Sequence, residues 1–138
     1  MPIIEGKAYW ANITVPNTTY EPCYTIDLVV DEENAAKFKA EGYNVKDKDN
    51  GPTLTIKRKV LKKDGSKRPV PKLMDAKKQP LDESVGNGSY VRVQYRPWEM
   101  GEYKGLELQA VQVIDLVIFG GADGEEFEAI DDYEDGEL

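Results

Sequence analysis

Apolar and polar side chains alternate along most of this chain, and at one place they recur at helical spacing. Neighbouring side chains on a β-strand point to opposite faces, so strict alternation marks a strand with one buried face. The first such stretch runs from about Gly6 to Val15, with Tyr9, Ala11, Ile13 and Val15 on one face and Trp10, Asn12 and Thr14 on the other. The second, Tyr24 to Val30, places Tyr24, Ile26, Leu28 and Val30 inward. A third, about Thr53 to Lys62, turns Leu54, Ile56 and Val60 one way and Thr55, Lys57 and Lys59 the other. Arg58 falls on the apolar parity, which predicts a bulge or a rim position. The fourth, Ser89 to Trp98, sets Val91, Val93 and Tyr95 against Tyr90, Arg92, Gln94, Arg96 and Trp98. The last, Gly105 to Phe119, has Leu106, Leu108 and Ala110 inward, and its parity shifts near Val111 to Val113. A strand that coils between two faces, or that joins a subunit contact, has this pattern.

Between the second and third strands, Asp31 caps a predicted helix of about Glu32 to Glu41. Acidic residues fill its first turn, Lys37 and Lys39 come later, and Gly42 follows its end. Asn50-Gly51-Pro52 and Lys63-Asp64-Gly65-Ser66 are turns, the second a hairpin turn with Arg68 to Met74 as a returning partner. Lys77 to Gly88 has the composition of a loop. Five main strands with one short helix predict a mainly β protein: a five-stranded barrel of the oligonucleotide-binding (OB) type. The helix lies after the second strand rather than the third, which departs from the standard arrangement.

At 138 residues the chain suits one compact domain, and 40% hydrophobic residues supply a modest core. There is no apolar run of the length a membrane helix needs, and Met1-Pro2-Ile3-Ile4-Glu5 lacks a signal peptide's basic start, so a cytoplasmic setting is expected. The single cysteine, Cys23, and the absence of histidine exclude an internal disulfide, a Cys/His zinc site and any Ser-His-Asp or Cys-His nucleophile pair. Neither a phosphate-binding GxxxxGK[ST] loop nor a GxGxxG turn is present. The expectation is a protein that is not an enzyme, with no cofactor and no metal.

The net charge of −8 is unevenly distributed. From Gly120 to Leu138 there are nine acidic residues and no basic ones, while residues 1–119 are close to neutral at +1. Within that body, Lys57 to Lys78 holds ten basic residues against Asp64 and Asp75. Nine like charges with little apolar mass do not join a packed core, so residues 120–138 are expected to form a flexible acidic C-terminal tail on a domain of residues 1–119. A positive segment of this size attracts polyanions, and an acidic tail on the same chain can occupy that surface in their absence. Each feature alone is equally the mark of a solvated hairpin or a solubility device.

Rings that alternate with arginine on an outward face point to nucleic acid. A base stacked on such a ring is worth about 1–3 kcal/mol whatever its identity, and arginine adds phosphate pairing. The candidate contacts are Trp98, Arg96, Arg92, Tyr90, Gln94 and Tyr103, with Lys57, Lys59 and Lys62 extending a positive track and Trp10 a second platform. The alternative is that a neighbouring loop or a second subunit covers these rings. One short helix with an acidic start is ill suited to a duplex major groove.

The order of motifs resembles the T7-like phage single-stranded DNA-binding proteins. The resemblance runs through Tyr24-Thr25-Ile26-Asp27-Leu28-Val29-Val30 and the helix, resumes at Thr53 to Lys63, and is strongest in Gly86 to Tyr95, Pro97-Trp98 and Lys104 to Gln109. It ends with Val113 to Phe119, Gly120-Gly121 and the acidic tail, and covers residues 24–138. It implies an OB-fold, a homodimer, a role in phage DNA replication, recombination and repair, and annealing of complementary strands. It also implies a tail that contacts the replicative DNA polymerase and helicase-primase and competes with DNA. Trp98, Tyr103, Lys57, Lys59 and Lys62 match the family's DNA contacts. Tails of the family end in an aromatic residue, whereas this chain ends in Leu138, with Tyr133, Phe127 and Asp135 as further tail contacts. The region between the helix and the third strand is shorter than in the family.

Two other functions share these features. An acidic adaptor or DNA mimic would carry its activity in the tail alone, and an RNA-binding barrel would use the same face, since nothing in the sequence reads a 2′-hydroxyl.

Overall fold

The computed structural model describes residues 1–118, so the predicted tail contacts Phe127, Tyr133, Asp135 and Leu138 lie outside the described residues. The elements in chain order are β1 (Ile3–Asn17), β2 (Cys23–Val29), α1 (Glu32–Ala40), β3 (Lys46–Lys48), β4 (Gly51–Lys59), β5 (Lys72–Met74), β6 (Ser89–Met100) and β7 (Tyr103–Asp115). Sheet neighbours run β3-β4-β2-β1-β6-β7-β5, and an additional pairing joins β4 to β7. That pairing is parallel, with Lys57 beside Glu107, and it closes β4, β2, β1, β6 and β7 into the expected five-stranded barrel.

The interior follows the predicted parity on three strands. Ile26 and Leu28 of β2, Leu54 and Ile56 of β4, and Val91 and Val93 of β6 are sealed from solvent. Arg58 keeps the inward parity without a bulge, since Tyr24 pairs with it in unbroken register. It is only 8% exposed, and its guanidinium Nη1 donates to the Pro69 carbonyl at 2.7 Å. The rim reading was the correct one: a long side chain lets the charge reach a backbone acceptor at the barrel's end.

β1 departs from the simple alternation. Ile4 and Ala8 are buried and then Ile13, so the inward parity changes from even to odd. The change occurs at a β-bulge between Tyr9 and Asn12, where Trp10 has φ +51 and its N–H donates to Asn87 Oδ1 at 2.9 Å. An extra residue in one strand inverts every later side chain, which periodicity alone does not foresee. In β7 the predicted shift is present: a register irregularity opposite Gln94 and Tyr95 makes Leu108, Ala110 and Val111 all buried.

The segment 68–74 does not return along β4 as predicted. The hairpin turn forms, with the Lys62 N–H bonded to the Ser66 carbonyl and an isolated bridge between Leu61 and Lys67. Beyond it the chain crosses the barrel, and β5 pairs parallel with β7, Lys72 beside Ala110.

Helix α1 is capped by Asp31, whose carboxylate accepts the Asn34 N–H at 2.7 Å. Ala35 and Phe38 are its buried face, and Phe38 meets Tyr95 edge-on at 6.0 Å. The helix's C-terminal end anchors the β6–β7 hairpin: Lys104 donates to the Glu41 carbonyl and sits 4.4 Å above the Tyr43 ring.

Gly6 marks the tightest crossing of β1 over β2. A Cβ there would collide with the Val29 carbonyl oxygen and press on Leu28. Gly6→Ala is therefore expected to destabilise the barrel by about 1–3 kcal/mol, the usual cost of overpacking, read as a lowered urea midpoint in chemical denaturation.

Candidate nucleic-acid interface

Closure of the barrel brings together residues far apart in sequence. Thr25 pairs with Lys57, and Lys57 lies beside Glu107, which faces Arg96 on its other side. All four have the outward parity, so one row crosses β2, β4, β7 and β6 on the outer surface.

Above this row rises the β6–β7 hairpin. Met100 pairs with Tyr103, leaving a two-residue turn in which Gly101 takes φ +62, the conformation a type II′ turn asks of its first central residue. Trp98 pairs across the hairpin with Gly105. A Cβ on Gly105 would lie 2.6 Å from the Trp98 ring, so the indole lies directly over the glycine backbone. The ring is 42% exposed all the same. A flat aromatic surface is thus held on one side and left open on the other.

A cleft of about 320 Å³ lies beneath the hairpin, lined by Trp98, Tyr103, Lys57, Lys46, Thr55 and Tyr43 among others. It shares Lys46, Thr55 and Lys57 with a second depression of about 540 Å³ that carries Lys48, Lys59, Cys23 and Tyr20. Together they form one groove across β2, β3 and β4, between the β6–β7 hairpin and the β1–β2 loop. OB-folds bind oligonucleotides on the corresponding face and with the corresponding loops. Two groove lysines already have carboxylate partners: Lys48 with Asp27 at 2.7 Å and Lys59 with Glu21 at 3.6 Å. Lys57 has no ion pair among the described residues. Burial pushes the Cys23 thiol's pKa up, only partly offset by nearby Lys57.

The predicted contacts divide between this groove and other surfaces. Trp98, Tyr103, Lys57 and Lys59 line it. Arg96 stands two strands from Lys57 in the outer row, on the far side of Glu107. Tyr90, Arg92 and Gln94, although on the same face of β6, are carried round the barrel by its coiling. The Tyr90 hydroxyl donates to Glu5 at 2.9 Å, a bond that holds the phenol's pKa above its ordinary value. Arg92 pairs with Glu5 at 3.3 Å, and Gln94 lines a separate cleft with it. Lys62 belongs to the hairpin turn, and Trp10 stands 64% exposed at the β1 bulge beside Asn87.

Sequence reasoning missed Tyr20, Lys46 and Lys48. Tyr20 is 89% exposed, on the β1–β2 loop at the groove's edge. A large ring between Thr19 and Glu21-Pro22, in a loop with no apolar periodicity, was the available signal. Lys46 and Lys48 alternate with Asp47 and Asp49 and so read as a neutral stretch, although β3 pairs with β4 and adds Lys46 and Lys48 to the groove.

The geometry predicts two separable effects. If the groove takes single strands, Trp98→Ala is expected to weaken their binding by about 1–3 kcal/mol with little dependence on base sequence. Gly105→Ala leaves the indole in place chemically but lifts it from its seat, so it should weaken binding in the same direction and change the tryptophan emission of the free protein. Fluorescence titration of both variants against an oligothymidylate checks this; unaltered affinity in both would remove the ring from the interface.

No protein-family model matches the sequence, and no curated protein matches it. Solved structures do. The chain is similar to gp2.5, a single-stranded DNA-binding protein encoded by bacteriophage T7, with 20% identity over 94% of this chain and 96% of that one and a TM-score of 0.54. It is similar to the single-stranded DNA-binding protein from bacteriophage Enc34, with 17% identity over 89% of each chain and a TM-score of 0.56. The same Enc34 protein in complex with single-stranded DNA matches at 15% identity over 82% of this chain and 86% of that one, with a TM-score of 0.55. The chain therefore shares its fold with these phage single-stranded DNA-binding proteins.

Proposed function

We propose that this protein binds single-stranded DNA without sequence specificity, as a phage replication protein and not as an enzyme. The observation that carries the reading is the groove itself. An open indole seated on Gly105 and a cation with no ion pair among the described residues, Lys57, line one cleft on the face where OB-folds hold oligonucleotides. The rings supply stacking that tolerates any base, and the lysines supply phosphate contacts. Two neighbours in fold are phage single-stranded DNA-binding proteins, and one of them is held with single-stranded DNA.

Service in DNA replication, recombination and repair follows from that activity together with the acidic tail. Its nine carboxylates suit it to compete with DNA for the lysine groove, and Phe127, Tyr133, Asp135 and Leu138 are its contacts for the replicative polymerase and helicase-primase. The assembly is a homodimer, for which the exposed Ile114, Val117 and Ile118 at the end of β7 supply apolar surface.

Titration of a labelled oligothymidylate at two salt concentrations tests the reading. Binding should fall steeply with salt, and deletion of residues 120–138 should tighten it. Lys57→Ala should flatten the log–log salt slope by about 0.7, the value of one released counterion on a single strand. Lys59→Ala should flatten it less, because Glu21 already neutralises that lysine at 3.6 Å. No binding at low salt, even after removal of residues 120–138, overturns the proposal. Loss of function on that deletion favours the mimic, and preference for a matched RNA favours the RNA reading.

A further inference from the structure

A second basic cleft lies on the β5–β7–β6 ladder and shares no lining residue with the first groove. Its volume is about 390 Å³, and its cations are Lys72 of β5, Lys78 of the turn that follows and Arg92 of β6. Gln94 and Gln112 add amide groups, and Met74, with Ile3 and Ala110, gives an apolar floor. Among the described residues the lining contains no carboxylate and no aromatic ring. In the first groove, by contrast, Asp27 and Glu21 sit among the lysines.

The backbone that carries these cations is fixed. Lys78 has φ +67 in a turn fixed by Asp75, whose carboxylate accepts the N–H groups of Lys77 and Gln79 at 2.8 and 2.9 Å. Gln112 ties the turn to β7 by donating to the Ala76 carbonyl at 3.0 Å. Arg92 Nη1 donates to Gln112 Oε1 at 3.3 Å. Its Nε lies within ion-pair distance of Glu5, 3.3 Å, yet is buried with no hydrogen-bond partner among the described residues. Glu5 is directed also to Tyr90, so the guanidinium is only partly neutralised.

We propose that this cleft is a second binding site for the phosphodiester backbone of single-stranded nucleic acid. Three positive groups without a lining carboxylate select a polyanion, and the lack of rings leaves phosphate rather than base stacking as the recognised chemistry. The outer row of β6 joins the two sites, with Arg92 and Gln94 at this cleft and Arg96 and Trp98 at the other, successive members about 6.8 Å apart along the strand. The backbone is either that of a second strand or a continuation of the first, and both bring the same chemistry. The cleft's existence does not depend on the reading of the first groove.

The test uses the full chain at low salt and an oligothymidylate of about six nucleotides, at the short end of what an OB-fold covers. Calorimetry is expected to show two oligonucleotides per chain. The weaker event should weaken roughly twentyfold between 50 and 200 mM salt, as for three phosphate contacts on a single strand. The charge reversal K72E/K78E should abolish the weaker event and leave the stronger one unchanged, with thermal melting confirming that the exposed substitutions preserve the fold. The milder K72Q/K78Q should weaken it without abolishing it. Trp98→Ala should do the reverse, impairing the stronger event alone. A single event untouched by K72E/K78E, or a weaker event untouched by it, overturns the second site. Binding that depends on Lys72 and Lys78 but not on Trp98 overturns the first-groove reading and leaves this one standing. A longer oligothymidylate then separates the two sources: one per chain means a continuous path, two per chain a second strand.

Discussion

The parallel contact between β4 and β7 is the constraint on which the interface rests. Antiparallel neighbours supply every other step round the barrel, and this single pairing of Lys57 with Glu107 closes it. Without it, the strand that carries the groove lysines and the hairpin that carries Trp98 would be opposite edges of an open sheet. With it, both lie on one surface, and the anchoring of Lys104 on the helix end and on Tyr43 fixes the hairpin's height above them. The short helix thus has a second use. Its buried face contributes Ala35 and Phe38 to the core, and the carbonyl at its C-terminal end becomes a bracket for the β6–β7 hairpin.

The same closure explains why the run of positive charge in the sequence is not one patch. Lys57 and Lys59 project into the first groove, Arg58 between them is turned inward to Pro69, and Lys72 and Lys78 reach a different cleft. Arg68 meets Glu107 at 3.6 Å. A linear count of charge treats these as neighbours. Strand parity and the crossing of residues 68–74 over the barrel distribute them to separate surfaces.

Much of the barrel was legible because its strands obey simple alternation. β2, β4 and β6 each bury one face, and the helix shows its cap, its charge gradient and its terminating glycine. Trp98, Tyr103, Lys57 and Lys59 could be named because rings and cations at outward positions have no packing reason to be there. What was not legible depends on events that leave no periodic mark. The bulge at Trp10 inverts the faces of β1 through one residue's backbone torsion. The choice of β7 over β4 as the partner of β5 is a matter of tertiary pairing between three-residue segments, too short for a pattern. Tyr90, Arg92 and Gln94 share a parity with Trp98, but a strand of 12 residues twists far enough to aim its two ends at different surfaces.

For the proposed binding of an acidic polymer, an acidic protein needs its charges to be local. The net charge of −8 would repel DNA if it were spread evenly. At physiological ionic strength, however, interactions are screened beyond about 8 Å, so a phosphate in the groove responds to Lys57, Lys46 and the partly neutralised Lys48 and Lys59 rather than to the whole chain. The carboxylates of Asp27 and Glu21 then have a definite effect. Paired with lysines in the free protein, they hold the ammonium groups near the groove and lower the self-repulsion of a cationic surface. Each such pair must be opened or shared when a phosphate arrives, so those lysines add less to affinity than their number implies. The indole is free of this compensation, since stacking on a ring releases no counterion and has no carboxylate to displace. An interface built in this way should draw its salt-resistant affinity from Trp98 and Tyr103, and its salt-sensitive affinity chiefly from Lys57.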